Sequence, residues 1–256
     1  MRLEIGKIAK FLEVLMRQGI YVVSKRLLLR LMYRIPYLRV SIERYIFNGD
    51  LEKRFTAIYK LNYWGNIESA SGGGSTSKVT ANLRDKLPYL LRNYQISSIC
   101  DAPCGDFSWM KSVISNVDIR YKGVDIVPDL ISQLRVFETK KISFERGDIR
   151  TFNFDGYDLV LVRDCLFHFS YTDINAFLEN LSRHDYKYLL TTSYQRDLSF
   201  ENRDIKTGDF RKIDLLSAPF NFEHSYIASI EDWVRPESER YLYLWEKAQV
   251  PKKLTH

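Results

Sequence analysis

"ICDAPCGDFSWM", residues 99–110, decides the fold. It completes a short stretch from Ile96, "ISSICDA", that reads as a buried strand, then breaks at Pro103 and Gly105, the residues of a tight turn. A helical pattern follows over residues 107–116. Strand, turn and helix in that order open a βαβ unit. The alternation continues along the chain. "IRYKGVDIV" (119–127) reads as a strand, and "PDLISQLRVFET" (128–139) as a helix with Pro128 in its first turn. "KISFERGDI" (141–149) reads as a strand. "YDLVLVRDCLFH" (157–168) begins as a nearly unbroken apolar strand, as expected in the middle of a parallel sheet. Residues 171–184 read as a helix, 186–194 as a buried strand, 239–250 as the last strand and 251–256 as a frayed end. The pattern predicts an α/β fold with a doubly wound, mainly parallel sheet.

Ligands of such sheets sit outside the carboxyl ends of the strands. The stretches there are "DAPCGD", "DIVPD", "GDIR", "RDCLFHFS" and "TTSYQRD", nearly all carrying an acid or another polar group. Two nucleoside cofactors compete. A nicotinamide dinucleotide needs GxGxxG around its pyrophosphate, but the first turn has one glycine, Gly105. S-adenosylmethionine has no pyrophosphate. It needs an acid near its ammonium group, a glycine for close approach and an acid for the ribose diol. Asp101 and Gly105 fit the first turn, Asp125 the ribose and Asp148 the adenine amino group.

These residues resemble motif I of class I S-adenosylmethionine-dependent methyltransferases. One branch is similar in four ordered motifs: Trp64 with "ESASGGGS" (68–75), "DAPCGDF" with "WM", "RDCLFH" (163–168) and "TGDFRKIDLLSAPF" (207–220). Phe107 departs from the superfamily pattern, standing where many members have a third glycine. The resemblance implies a Rossmann-like, seven-stranded methyltransferase sheet whose last strand is antiparallel. It also implies an O-methyltransferase acting on a glycan or its precursor, in a branch that includes fucose-modifying members. The implied cofactor set is Asp101, Pro103, Cys104, Gly105, Asp125, Ile126, Asp148, Ile149 and Arg163, with Trp64 and Ser75 before the first strand.

"ESASGGGSTSKVT" (68–80) has the composition of a flexible linker. Its match in the resembled branch favours a loop folded over the cofactor, with Ser75 or backbone amides near the methionine carboxylate. A helix is expected from Ser75–Ser77 to about Asn93, with Val79, Leu83, Leu87 and Leu90 on one face and Pro88 kinking or dividing it. A plain linker is the other reading.

Methyl transfer to a sugar hydroxyl needs that hydroxyl to lose a proton, so a general base helps. His168, with an ordinary pKa of ~6.5, and Asp164 leave the fourth strand at the right place. They predict a rate that falls at low pH near 6–7. The bland reading of His168 is a core histidine bonded to a backbone carbonyl; Asp164 could instead orient His168 or hold the cofactor. Asn202, Asp204, Asp209 and Arg211 are candidate acceptor-binding residues, or else a solvated loop. Asp164, Asp204 and Asp209 could ligate a hard cation, but their spacing specifies none, and no metal is expected.

The chain has 256 residues and a formal net charge of +6. Residues 1–50 hold ten Lys/Arg against four acids, so the remainder is balanced. That counts against a nucleic-acid partner, which requires clustered basic residues. It divides the chain into a basic helical extension, 1–63, and a methyltransferase domain, 64–256. Ile5, Ile8, Leu12 and Leu15 recur at helical spacing, as do Ile20, Val23, Leu27 and Leu31. Such helices pack on the domain behind them or lie on an anionic membrane surface. Gln18–Ser24, the longest uncharged stretch near the start, is far short of the ~20 residues of a span. Three cysteines without a CxxC pair suit a reducing, cytoplasmic setting, at the inner face of a membrane if residues 1–50 bind lipid. A small-molecule or protein acceptor, or a non-catalytic partner-binding module, are the rival functions. The retained Asp101, Gly105, Asp125 and Asp148 favour an enzyme.

Overall fold

A computed structural model describes residues 32, 35–64, 66–195 and 200–255. The two amphipathic repeats read over Ile5–Leu15 and Ile20–Leu31 lie outside the described residues. The strands are β1 (Ser98–Asp101), β2 (Arg120–Asp125), β3 (Ile142–Arg146), β4 (Tyr157–Val162), β5 (Tyr186–Tyr194), β6 (Ala228–Glu231) and β7 (Arg240–Glu246). They form one seven-stranded sheet in the order β3-β2-β1-β4-β5-β7-β6. The pairs among β1–β5 are parallel, and β7 runs antiparallel to both β5 and β6. The chain leaves the β3 edge and returns beside β1 as β4. That reversal opens a crevice at the carboxyl ends of β1 and β4.

The centre of the sheet is buried on both faces. On β4, Val160 and Val162 enter one apolar cluster with Phe154, Phe177 and Leu181, while Leu159 and Leu161 enter another with Leu83, Leu87, Met110 and Val113. The two-residue period of a strand sends alternate side chains to opposite faces, so a continuous apolar run serves both cores.

The helices are α1 (Pro36–Phe47), α2 (Leu51–Leu61), α3 (Ala81–Asn93), α4 (Met110–Ile114), α5 (Pro128–Leu134) and α6 (Tyr171–Ser182). α3 corrects two expectations. It begins at Ala81, because Gly73–Ser75 close a separate 3-10 turn, and no side chain caps it. Pro88 sits inside it without dividing it. Leu83, Leu87, Leu90 and Leu91 are buried along one face, and that packing outweighs the one hydrogen bond that proline removes.

α1 and α2 pack on each other through a small cluster of Ile42, Ile46, Ala57, Ile58 and Leu61. α2 is capped by the Asp50 carboxylate, which accepts the Lys53 N–H at 2.9 Å. Arg54 on α2 donates to the Thr207 carbonyl at 2.7 Å. This holds the extension against the 207–211 segment. Among the described residues no helix is long and apolar enough to cross a membrane.

Candidate active site

A cleft enclosing about 1000 Å³ of empty space, part of it open to solvent, lies over the carboxyl ends of β1, β2 and β4. Asp101, Pro103, Cys104, Gly105, Asp125, Ile126, Asp148, Ile149, Arg163, Trp64 and Ser75 all line it, and so do Asp164 and His168. Leu51, Phe55 and Tyr59 of α2 close one wall, so part of the helical extension belongs to the site.

The turn after β1 forms because Gly105 takes a left-handed φ of 56°. A Cβ there would lie 2.3 Å from the Ser71 hydroxyl. Phe107 is also left-handed, with φ 59°. Its buried ring packs on Tyr121 and Phe144 at centroid distances of 5.1 and 5.0 Å. Aromatic packing thus holds a conformation that glycine adopts freely.

Two buried carboxylates face the cleft. Asp101 accepts the Tyr121 hydroxyl at 2.7 Å, and burial pushes its pKa up to about 7. Asp125 accepts the Gly105 and Val127 N–H groups at 3.2 and 3.0 Å, and burial raises it to about 6. In both, removal from water disfavours the charged form by more than these hydrogen bonds restore. Asp148 differs. Arg150 holds both of its oxygens and bridges on to Asp173 at 2.6 Å. Asp148 therefore lines the cleft as half of an ion pair, with lone pairs to spare.

The glycine-rich segment is a folded loop. Asp106 accepts from the Ser69 hydroxyl at 2.7 Å and from the Ala70 N–H at 2.9 Å, and its own N–H donates to the Ser71 hydroxyl at 2.9 Å. Ser77 N–H closes the loop on the Glu68 carboxylate. The Ser75 amide donates to the Gly72 carbonyl at 3.2 Å, so Ser75 offers the cleft its side chain and not the free amide expected of a helix start. Arg163 grips the loop from below by donating to the Gly74 carbonyl at 2.7 Å.

Arg163 is buried, and its guanidinium also donates to Asp232 at 2.8 and 2.9 Å and lies 3.4 Å from Asp164. It contributes to the cleft by fixing the loop. Asp164, left-handed at φ 50°, sits between Arg163 and Arg240. Burial alone would raise its pKa; the two guanidiniums instead hold it below the usual carboxylate range. That environment suits an anchor better than a proton acceptor. Asp232 and Arg240 escaped the sequence reading. The only local sign was charge at the ends of two strands.

His168 ends a 3-10 turn, Leu166–His168. Its Nδ1 lies 2.7 Å from the Asp209 carbonyl oxygen. A carbonyl only accepts, so Nδ1 carries the proton and Nε2 keeps its lone pair. Burial lowers the pKa to about 4, which leaves the imidazole neutral near pH 7. The ring stacks on Trp64 with centroids 4.6 Å apart and planes at 24°. His168 is thus both bonded to a carbonyl and exposed to the cleft. The pKa lies below the ordinary ~6.5 because desolvation of the imidazolium outweighs the Asp209 carbonyl and the Asp164 carboxylate that favour it.

The four acceptor-binding candidates lie elsewhere; none lines the cleft. Asn202 staples its loop, donating to the Asp214 and Ala218 carbonyls at 2.8 Å each and accepting the Asp214 N–H at 2.9 Å. Asp204 accepts the Tyr171 N–H at 2.7 Å, at the start of α6. Asp209 acts through its carbonyl on His168, while its carboxylate accepts the Phe210 N–H at 2.8 Å. Arg211 is buried against Tyr171, donates to the Leu166 carbonyl at 3.2 Å, and burial lowers its pKa to about 10. With Gly208 N–H on the His168 carbonyl at 2.7 Å and Arg211 N–H on the Phe167 carbonyl at 3.2 Å, the TGDFR stretch clamps the histidine turn. Trp245 is fully buried and Trp233 is not on the cleft wall, while Trp109 is, beneath Arg163 at 5.3 Å. Among the described residues no three His, Cys, Asp or Glu side chains converge to hold a metal ion.

Residues 99–184 match the family profile of a methyltransferase domain. No curated protein sequence matches the chain significantly. Among solved structures it resembles PigF with SAH, at 12% identity and a TM-score of 0.52, over 80% of this chain and 65% of that one. It also resembles the methyltransferase domain of bacterial CtHen1-C, at 14% identity and a TM-score of 0.50, over 66% of this chain and 98% of that one. The chain spans slightly under two thirds of the PigF chain. The likeness is one of fold: the α/β body has the Rossmann-like methyltransferase architecture.

Proposed function

We propose that this chain is an S-adenosylmethionine-dependent methyltransferase that O-methylates a sugar hydroxyl of a glycan or glycan precursor. The observation that carries the reading is the division of one cleft into two chemical halves. Asp101, Gly105 and Asp125 line one half. Neutral His168, with Nε2 as acceptor, lines the other beside Trp64, Phe55 and Phe169. When bound, S-adenosylmethionine supplies a methyl group on a sulfonium. Asp101 would then hold the ammonium group and Asp125 the ribose hydroxyls, and the glycine-rich loop would exclude water from the methionine end. His168 accepts the proton of the attacking hydroxyl at Nε2, and the Asp209 carbonyl holds the ring's orientation. Aromatic faces suit the apolar face of a pyranose ring. A hydroxyl, unlike an amine, gains much from a base. The stretch after β4, "RDCLFH", also lacks the N/D-P-P-Y/F signature of amino-group methylases. The test is transfer of labelled methyl from S-adenosylmethionine into a glycan pool, with the methylated position read by mass spectrometry. No transfer to sugar, but transfer to amines, rejects the reading.

The cofactor half makes its own prediction. Asp125→Ala weakens binding by about 1–3 kcal/mol through lost charge-assisted hydrogen bonds, as read by calorimetry. Binding also depends on pH. The free carboxyl of Asp101, with its pKa raised to about 7, is mostly protonated below that value and cannot pair with an ammonium group. Affinity therefore rises as pH increases through about 7, with proton release on binding. A pH-independent affinity counts against Asp101 as the ammonium partner.

We also infer that the extension meets an anionic membrane. Tyr37, Val40 and Tyr45 of α1 are exposed, beside Arg39 and Arg44, and residues 1–50 carry the chain's net +6. Each basic residue near such a surface contributes about 1 kcal/mol. The protein is expected to float with anionic vesicles at low salt and to leave them at high salt. Staying in solution at both identifies the extension as packing only.

A further inference from the structure

Gly74 rests on a buried ion network that runs to the cleft along the carboxyl edge of the sheet, from the ends of β6 and β7. Arg163 and Arg240 are each 5% exposed, and Asp232 is fully buried. Asp232 takes two hydrogen bonds from Arg163, at 2.8 and 2.9 Å, and lies 3.6 Å from Arg240 Nε. Asp164 lies 3.4 Å from Arg163 and 3.5 Å from Arg240. Two cations and two carboxylates balance, with Glu237 joining Arg240 at 2.9 Å from the rim. A Cβ on Gly74 would stand 2.2 Å from Asp164 Oδ2 and 3.3 Å from Arg240 Nη2. The loop backbone therefore lies directly on the network, and its carbonyl is tied to it through Arg163. Arg240 Nε and Nη2 make no hydrogen bond among the described residues, so Arg240 holds the network by charge and shape. Its strand, β7, is separated from β4 by β5. The β6–β7 hairpin thus reaches across a strand to brace a loop from another part of the chain.

We propose that Asp232 and Arg240 are positioning residues that keep the glycine-rich loop closed over the cofactor, acting through Arg163 and Asp164. The proposal rests on the cofactor reading above. The physical reason is that a buried charge deprived of its partner must find water or another partner. Without Asp232, Arg163 is drawn upward and loses its fixed hold on Gly74. Without Arg240, Asp164 and Asp232 repel one another beneath the loop. Either change opens the loop and shortens the ligand's residence, since alterations at a binding site act mainly on dissociation.

The test uses the full chain with Asp232→Asn, Arg240→Met and Arg240→Lys. The first readout is hydrogen exchange over residues 69–77 without ligand. The second is the release rate of S-adenosylhomocysteine by stopped-flow, well below each variant's melting temperature. Arg240→Met and Asp232→Asn are expected to speed exchange in that loop selectively and to speed release by about tenfold. Arg240→Lys, which keeps the charge and loses the fork, is expected to fall between them and the wild type. Should the first two fail to fold, Arg240→Lys carries the same comparison alone. A lowered melting temperature with unchanged loop exchange and unchanged release overturns the proposal, because that is what a merely structural network would show. If the wild type binds no S-adenosylhomocysteine, the cofactor reading fails, and the exchange experiment still decides whether the network holds the loop.

Discussion

His168→Ala lowers methyl transfer by about 10²–10⁴-fold, the range for loss of a general base, and leaves affinity for S-adenosylmethionine nearly unchanged. The separation follows from the cleft: Asp101 and Asp125 lie at the ends of β1 and β2, and His168 lies beyond the end of β4. His168→Gln is the packing control, since an amide keeps some contact with Trp64 but supplies no basic nitrogen. The pH profile gives a second check. Burial lowers the His168 pKa to about 4, so the base is neutral and competent above that value and protonated below it. With saturating cofactor, the rate is expected to be flat from neutral pH down and to fall only as pH drops through about 4. An acid limb near 6.5 would mean that the imidazole is solvated and not held as described. If His168→Ala keeps most activity while Asp164→Asn loses it, the proton goes to the aspartate.

Gly74→Ala is expected to lower turnover by about 10²-fold, the consequence of displacing a reacting group by roughly an ångström, and to weaken cofactor binding as well. The added methyl would sit 2.2 Å from Asp164 Oδ2, so either the carboxylate or the loop must move. The carboxylate is the end of a side chain, but Arg163 and Arg240 hold it from two sides, which transfers the strain to the loop. Gly73→Ala is the matched control. Its methyl would meet only Asn66 Nδ2, at 3.9 Å, and it should behave nearly as the wild type in the same assays. Equal activity of the two variants would show that the loop yields freely and has no part in placing the reactants.

The acids that line the cleft were legible because they are local to the strands. Asp101 ends β1 and Asp125 ends β2, and Asp148 follows β3 closely. A strand's apolar run and the polar residue after it are adjacent in sequence, and the doubly wound topology brings those ends together. The same reasoning failed where packing competed with local signals. Pro88 reads as a helix breaker, yet four buried leucines carry α3 past it. Ser75 reads as a cap, yet the three glycines before it fold into a separate turn.

Local sequence was enough for six of the seven strands and for the ring of polar groups at the carboxyl edge, since hydrophobic periodicity and turn chemistry act over a few residues; the short β6 (Ala228–Glu231) carried no such signal. The partners and protonation of those polar groups came only with the packed fold. His168 gains its tautomer from the carbonyl of a residue 41 positions away and its low pKa from burial. Arg163 is committed to Asp232 across 69 positions and to Gly74 across 89. Asn202, Asp204, Asp209 and Arg211, read in sequence as ligand contacts or a plain loop, make hydrogen bonds within the fold. Protonation state and ion-pair partnership depend on distance and dielectric, which exist only once separated segments have packed together.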